Sequence, residues 1–363
     1  MEYKLDWSKF WRDNAESLQR PFSTDKPMVP VSLSMDDHWL FGEMQIPSTV
    51  RYFKDLDYRE EIHKLCNDRI EAELGYRHFP EVIPRKSVKR LEEVFESRQE
   101  LTEGGTPWLE SDVKDIDDVK ALLERVKKLN LKDFVFPEGW AQSAQEYEER
   151  AGSPLRLGAG NRGPITMATS ILGTMPFLTF TMDYPEVMDD FFKLLTEKLV
   201  EYIRLLREET GVPDTGYWIT DDNCCLVSPE QYDRWGAPML AAAFREFAPE
   251  PEHRRHHHSD SDMAHHMPTL NRLGVNEVNL GPNIDARDIR AAMPRAVIFG
   301  QIPPMLLRNG SEEEIIAAVR SDIDKVGADG GLVIATAGSV SEGTSLRNIK
   351  TMLYAVDQYG RYK

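Results

Sequence analysis

"RRHHHSDSDMAHHMPTLNRLGVNEVNL", residues 254–280, reads as a strand, a polar loop, a helix and a second strand. "RRHHHS" is extended, so its side chains alternate between faces: His256 and His258 share one face and His257 takes the other. A helix is expected from about Met263 to Leu273, and "NEVNL" is the next strand. A strand–helix–strand unit of this length implies a right-handed crossover and parallel pairing.

The same rhythm extends in both directions. "TGYWIT" (215–220) precedes a helix capped by Ser228 with Pro229 at its first position. "AVIFGQ" (296–301) precedes a helix capped by Ser311, and "GGLVIATA" (330–337) a last helix, Leu346 to Tyr359. A short helix lies near Ala286 to Ala292. The clearest helix runs through Met188, Phe191, Leu195, Leu199, Tyr202 and Leu206, with Asp183 as the expected cap, Glu186 at its third position and Gly211 beyond its end.

Towards the N-terminus the signals are sparser. "MVPVSLS" (28–34), "HFPEVIP" (78–84) and "LRLGAGNRGPIT" (155–166) supply three further strand candidates, with helices at Asp57 to Leu74 and Ile116 to Lys127. Residues 92–109 suggest a β-hairpin leaving through the turn "EGGTPW". Strands near 28, 79, 155, 215, 254, 275, 296 and 331 make eight. The expected fold is therefore α/β, a single (β/α)8 (TIM) barrel over 28–363, with an N-terminal extension (1–27) and the hairpin as an insertion. An open dinucleotide-binding sheet is disfavoured, because eight β/α units in series close on themselves as a barrel.

A net charge of −17 disfavours nucleic acid and anionic membrane as partners. No apolar run approaches the length of a membrane span, and "MEYKLDWSKFWRDN" lacks the apolar stretch of a signal peptide, so a cytoplasmic protein is expected. Cys66, Cys224 and Cys225 give neither a disulfide framework nor a CxxC zinc spacing.

In a barrel of this kind chemistry sits at the C-terminal ends of the strands. Those ends read "SMDDHW", "TDDNCC", "HHHSDSD", "NLGPN", "GQIPP" and "TAGSVSEG", and the opposite rim shows no comparable concentration. His258 should face the cavity, with Asp260 and Asp262 on the loop above it; Asp262 could equally cap the following helix. Adjacent acids point in different directions, so one of each pair is expected to face inward: Asp37 or His38 from the first strand, Asp222 from the fourth. His265 and His266 read as surface residues of the following helix. Asn223, Asn279 and Gln301 are candidate substrate-binding amides. "GNRGP" offers amides at a helix start, with Arg162 beside them, as an anion site.

Several stretches in order resemble the uroporphyrinogen decarboxylase superfamily, which includes methyltransferases of corrinoid-dependent methyl transfer. They are "GPITMATSILG", "TMDYPEVMDDFFKLLTE", "DDNCCLVSPEQYDRWGAPML", "HHHSDSDMAHHMPTLNRLGVNEVNLGP" and "GQIPPMLLRNGSEEEI". The resemblance runs from about residue 28 to the C-terminus and implies the same barrel. The decarboxylases carry an arginine-rich segment near the first strand, where this chain has "SLSMDDHWLFGEM". Asp36 and Asp37 would repel a polycarboxylate, which argues against uroporphyrinogen itself.

The methyltransferase branch holds zinc through His-x-Cys after the fifth strand and a Cys after the eighth. Here these positions read His258-x-Asp260 and the cysteine-free "ATAGSVSEG". Loss of both thiolates argues against thiol activation; His258, Asp260, Asp222 and Glu342 form a mixed candidate set for zinc or a harder ion. The resemblance thus implies a methyltransferase demethylating a small methyl ether or methylamine and passing the methyl group to a corrinoid carried on a separate protein. His258, Asp222 and His38 are its candidate catalytic residues, and Asp37, Asn223, Arg162, Asn279 and Gln301 its substrate contacts. A homodimer is compatible with this reading. The alternative is a metal-free lyase or decarboxylase of a small substrate on the same rim.

Overall fold

The structure, a computed structural model, describes residues 3–362. Its centre is a parallel sheet in the order β3 (Gly160–Arg162), β4 (Gly216–Thr220), β5 (Arg254–Ser259), β6 (Glu277–Leu280), β7 (Val297–Phe299) and β8 (Leu332–Val333). Each strand pairs in parallel with its neighbour in sequence, so a crossover connection joins every successive pair. The segment 28–34 continues the wall past β8, because Val31 bridges in parallel to Ile334. This is the α/β barrel architecture.

The two remaining wall segments depart from regular strands for identifiable reasons. Residue 31 does not pair onward: Asn14, on the helix Trp7–Leu18, accepts from Val31 N–H at 2.7 Å and donates to its carbonyl at 3.1 Å. An extension expected to be peripheral is bonded directly into the wall. "HFPEVIP" forms no strand ladder. Pro80 and Pro84 lack donors, and Asn67, on the helix Leu56–Leu74, takes the amides of His78 and Phe79 and the carbonyl of Phe79. The third strand begins at Gly160, five residues later than its sequence signal near 155 suggested.

The insertion is a short hairpin, β1 (Arg98–Glu100) antiparallel to β2 (Trp108–Glu110), preceded by the helical turn Leu91–Val94 where the hairpin was expected to begin. The long helix spans Pro185–Thr210, and its N-cap is Tyr184 rather than Asp183, which ends the preceding helix Thr174–Asp183. Pro185 at the first position restricts the residue before it, so the break falls there. The final helix spans Leu346–Tyr359, and Ser311 closes a capping box with Glu314. No single described helix is long and apolar enough to cross a membrane; the apolar helices Pro164–Leu172 and Thr174–Asp183 meet at 105°.

Candidate active site in the barrel lumen

Barrels of this kind normally fill their interior with bulky branched side chains. Here Ser32, Ser34, Thr220, Ala335 and Thr336 are small, and they leave a cavity of about 430 Å³. Strand register stacks its polar lining in layers. Trp218 pairs with His256 and His256 with Glu277; one layer up, Thr220 pairs with His258 and His258 with Asn279.

At the upper end, His258, Asp222 and Asp260 offer ligand atoms that all lie within 4.8 Å of one another. His258 Nε2 is 3.4 Å from Asp260 and 3.8 Å from Asp222. Its other nitrogen, Nδ1, is 2.8 Å from the side-chain oxygen of Asn279. Both amide protons of Asn279 are committed to the carbonyls of Phe299 and Thr336, which fixes the orientation of that amide. His258 therefore donates its Nδ1 proton to Asn279, and Nε2 faces the two acids. Asp222 also accepts the Asp260 amide at 2.8 Å, tying the two loops together. Burial raises the Asp260 carboxyl; His258 opposes this, while Asp222 and Asp36 reinforce it.

The donor set is one imidazole nitrogen and carboxylate oxygens from two acids. That suits zinc or a harder divalent ion and does not suit a thiolate-rich site. Among the described residues Glu342 is not part of this cluster; it is exposed, its side chain lies over Gly42, and it is not positioned as a fourth ligand.

The other expected site residues are dispersed. His38 is exposed and faces Thr106 of the hairpin loop, while Asp37 accepts from Tyr52 at 2.7 Å and pairs with Arg59. Neither lines the lumen; the acid of that pair whose charge reaches Asp260 is Asp36, which also caps the helix Asp37–Met44. Asn279 orients His258 and has no free donor for a substrate. Gln301 is buried and donates to Gly281 and Ile284, bracing the loop after β6. Arg162 pairs with Glu92 and donates to Ser170, and Asn223 donates to Thr169; both border a separate cavity of about 380 Å³ beneath Trp108. Asp262 is exposed and caps nothing, since the turn after it has Met263 as its N-cap with no side-chain bond.

The anion site expected at "GNRGP" is filled by the chain itself. Asp221, wholly buried, accepts the Thr166 amide at 2.8 Å at the start of the helix Pro164–Leu172. Gly163 permits this approach, because a Cβ there would lie 2.3 Å from that of Asp221. Burial pushes Asp221 up to about 7 against the Thr166 hydrogen bonds, with the Asp222 charge adding to the rise. His266 is buried rather than on the surface, 2.8 Å from the Cys224 carbonyl, and burial lowers it to about 4.

The sequence reading also missed the floor of the lumen. Arg254, Glu277 and His256 form an ionic group there, so charge is not confined to the upper rim. Arg254 and His256 lie in step with His258 along one strand, and Trp218 in step with Thr220; alternation was the available signal.

A family model for uroporphyrinogen decarboxylase (URO-D) matches residues 91–359. The chain belongs to the uroporphyrinogen decarboxylase family. No curated protein sequence matches it. Among solved structures, a methyltransferase from Methanosarcina mazei superposes with a TM-score of 0.64 at 16% identity, covering 93% of this chain and 96% of that one. A B12-independent methionine synthase from Shewanella sp. W3-18-1, in complex with selenomethionine, gives a TM-score of 0.40 at 14% identity, over 60% of this chain and 64% of that one. The first likeness places this family member on the same barrel fold.

Proposed function

We propose that this uroporphyrinogen decarboxylase family protein is a methyltransferase that demethylates a small methyl donor, a methyl ether or methylamine, and passes the methyl group to a corrinoid on a separate carrier protein. The observation that carries the reading is the His258–Asp222–Asp260 trio, with the imidazole Nε2 turned towards the two acids, at the mouth of an open lumen. The M. mazei neighbour, itself named a methyltransferase, supports it at the level of fold.

His258 Nε2, Asp222 and Asp260 would hold a divalent ion, with zinc the first candidate. Such an ion, when bound, supplies Lewis-acid polarisation of the heteroatom that loses the methyl group. The chain's own residues do the rest. The lumen holds the donor away from bulk water, Asn279 locks the His258 ring, and the heteroatom is placed beside the trio with its methyl group towards the mouth.

The test is elemental mass spectrometry on the purified protein after incubation with zinc, beside His258→Ala and Asp260→Ala. Methyl transfer from methyl ethers and methylamines to free reduced cobalamin is followed by absorbance in the same samples. Near-stoichiometric zinc, lost in both folded variants together with methyl transfer, supports the reading. Retention of metal by both variants, or methyl transfer independent of the trio, overturns it. A protein that binds no metal and transfers no methyl group is better read as a metal-free lyase, with Asp260, held above the usual carboxylate range, as its acid.

A further inference from the structure

We infer that the helix Thr174–Asp183 and the hairpin residue Trp108 form a docking surface for a partner protein that presents a basic amphipathic helix. The surface lies outside the lumen, and the inference is independent of the proposed reaction.

The helix carries no charge before its last residue. Its inner face buries Phe177, Phe180 and Thr181. The opposite stripe is Met175, Leu178, Thr179 and Met182, at i, i+3, i+4 and i+7. Met175 and Met182 are 72% and 74% exposed. Thr179 turns its hydroxyl back to the Met175 carbonyl at 3.0 Å, so the polar atom of the stripe is already satisfied within the helix.

Trp108, 71% exposed, stands at one end of this stripe, since its cavity is also lined by Thr174 and Pro176, the neighbours of Met175. Among the described residues these three are the most exposed of the large apolar side chains. A single exposed apolar residue means little, but three on one helix and the hairpin beside it mark a contact surface. An indole beside a cleft serves as an anchor, and methionine adapts to the shape of what it meets. Met175 to Met182 spans about 10 Å along the axis, which two turns of a partner helix would cover.

Charge selects the occupant. Glu100 lies directly across the hairpin from Trp108, Glu110 follows Trp108 by two residues, and Asp183 closes the far end beside Met182. All three acids are exposed, and none forms a salt bridge among the described residues. The whole chain carries a charge of −17. A second copy would set these acids against their own kind, and an anionic membrane would be repelled in the same way. A helix with lysine or arginine beside its apolar face matches both the stripe and its rim.

The probe is a fluorescent Leu/Lys peptide of about four helical turns, patterned to put its leucines on one face and followed by anisotropy with the full chain. A scrambled peptide of the same composition, with no apolar face, is the control. The patterned peptide should bind at least about tenfold more tightly. That preference should vanish in the double variant Met175→Ser, Met182→Ser and, separately, in Trp108→Ser; all three positions are exposed, and circular dichroism checks that the fold is kept. Glu110→Gln with Asp183→Asn should weaken the patterned peptide and flatten its salt dependence. Equal binding of the two peptides in the wild type overturns the inference whether or not the variants fold, as does absence of binding by either. A preference that survives the double variant overturns it as well. Sedimentation and vesicle flotation without peptide test the other occupants. A wild-type dimer that the double variant dissolves assigns the stripe to a second copy, and flotation with phosphatidylcholine vesicles that the double variant loses assigns it to a lipid surface; either result overturns the basic partner.

Discussion

Two pairs of adjacent aspartates close two segments of the same wall, and they resolve in opposite order. Of Asp36 and Asp37 the first bears on the site and the second turns away to Tyr52 and Arg59. Of Asp221 and Asp222 the first is buried in the wall and the second joins the trio. One rule covers both cases. Counting by twos from the lumen-facing Ser32 and Ser34 reaches Asp36, and from Trp218 and Thr220 reaches Asp222. The pleat continues one step beyond the last residue of each segment, and only then does the chain turn. Position within the pair carries no information; parity with the strand does.

The sharpest way to break this comparison is to remove one inward acid at a time. Asp222→Ala should abolish zinc retention, measured by elemental mass spectrometry, as should His258→Ala. Asp36→Asn, which can still cap its helix, should leave zinc in place. The reverse pattern would move the metal site to the first segment.

Asp221→Asn tests the wall acid. Asp221 sits at about 7 when folded, above its unfolded value near 4, so its ionisation opposes folding. The wild type should lose stability as pH rises from about 4 through about 7, by up to ~4 kcal/mol from this group alone. The Asn variant should lack that loss, and urea unfolding at pH 4.5 and pH 8 measures the difference. A variant no better than wild type at pH 8 would mean Asp221 is accommodated as an anion. Zinc content should not change.

Asn279→Ala removes the partner that orients His258. Metal affinity should fall by about 10- to 100-fold with little change in fold, read by competition with a chromogenic chelator. The smallest effect belongs to the outward acid of the first pair. Asp37→Asn loosens a partly exposed ion pair with Arg59, and should cost no more than about 1 kcal/mol in urea unfolding without affecting metal.

The C-terminal half of the barrel was far more legible than the N-terminal half. From β4 onward each strand is a short run followed by a helix, and the caps Ser228, Asp285, Ser311 and Ser345 mark most of the helix starts, although the turn after β5 has no side-chain cap. Between residues 28 and 160 the wall is completed by side chains. Asn14 and Asn67 take backbone groups that a neighbouring strand would take, and nothing local distinguishes those asparagines from surface residues. The site divides similarly. His258, Asp260 and Asp222 could be placed by strand ends and alternation. Asn279 and Gln301 were correctly found near the strand ends, but their hydrogen bonds go to the protein.

By itself, then, the sequence determined the barrel architecture, the inward column of β5 and the residues that form the trio. These follow from the period of two along a strand and the parallel pairing that strand–helix alternation imposes. Only the tertiary structure decided that Asp221 occupies a helix start, that His266 is buried, that Glu342 stands apart and that Arg254 and Glu277 join on the floor. Each of these depends on which distant segment lies opposite, and the free energy of a buried or paired charge is set by that neighbour rather than by the residue itself.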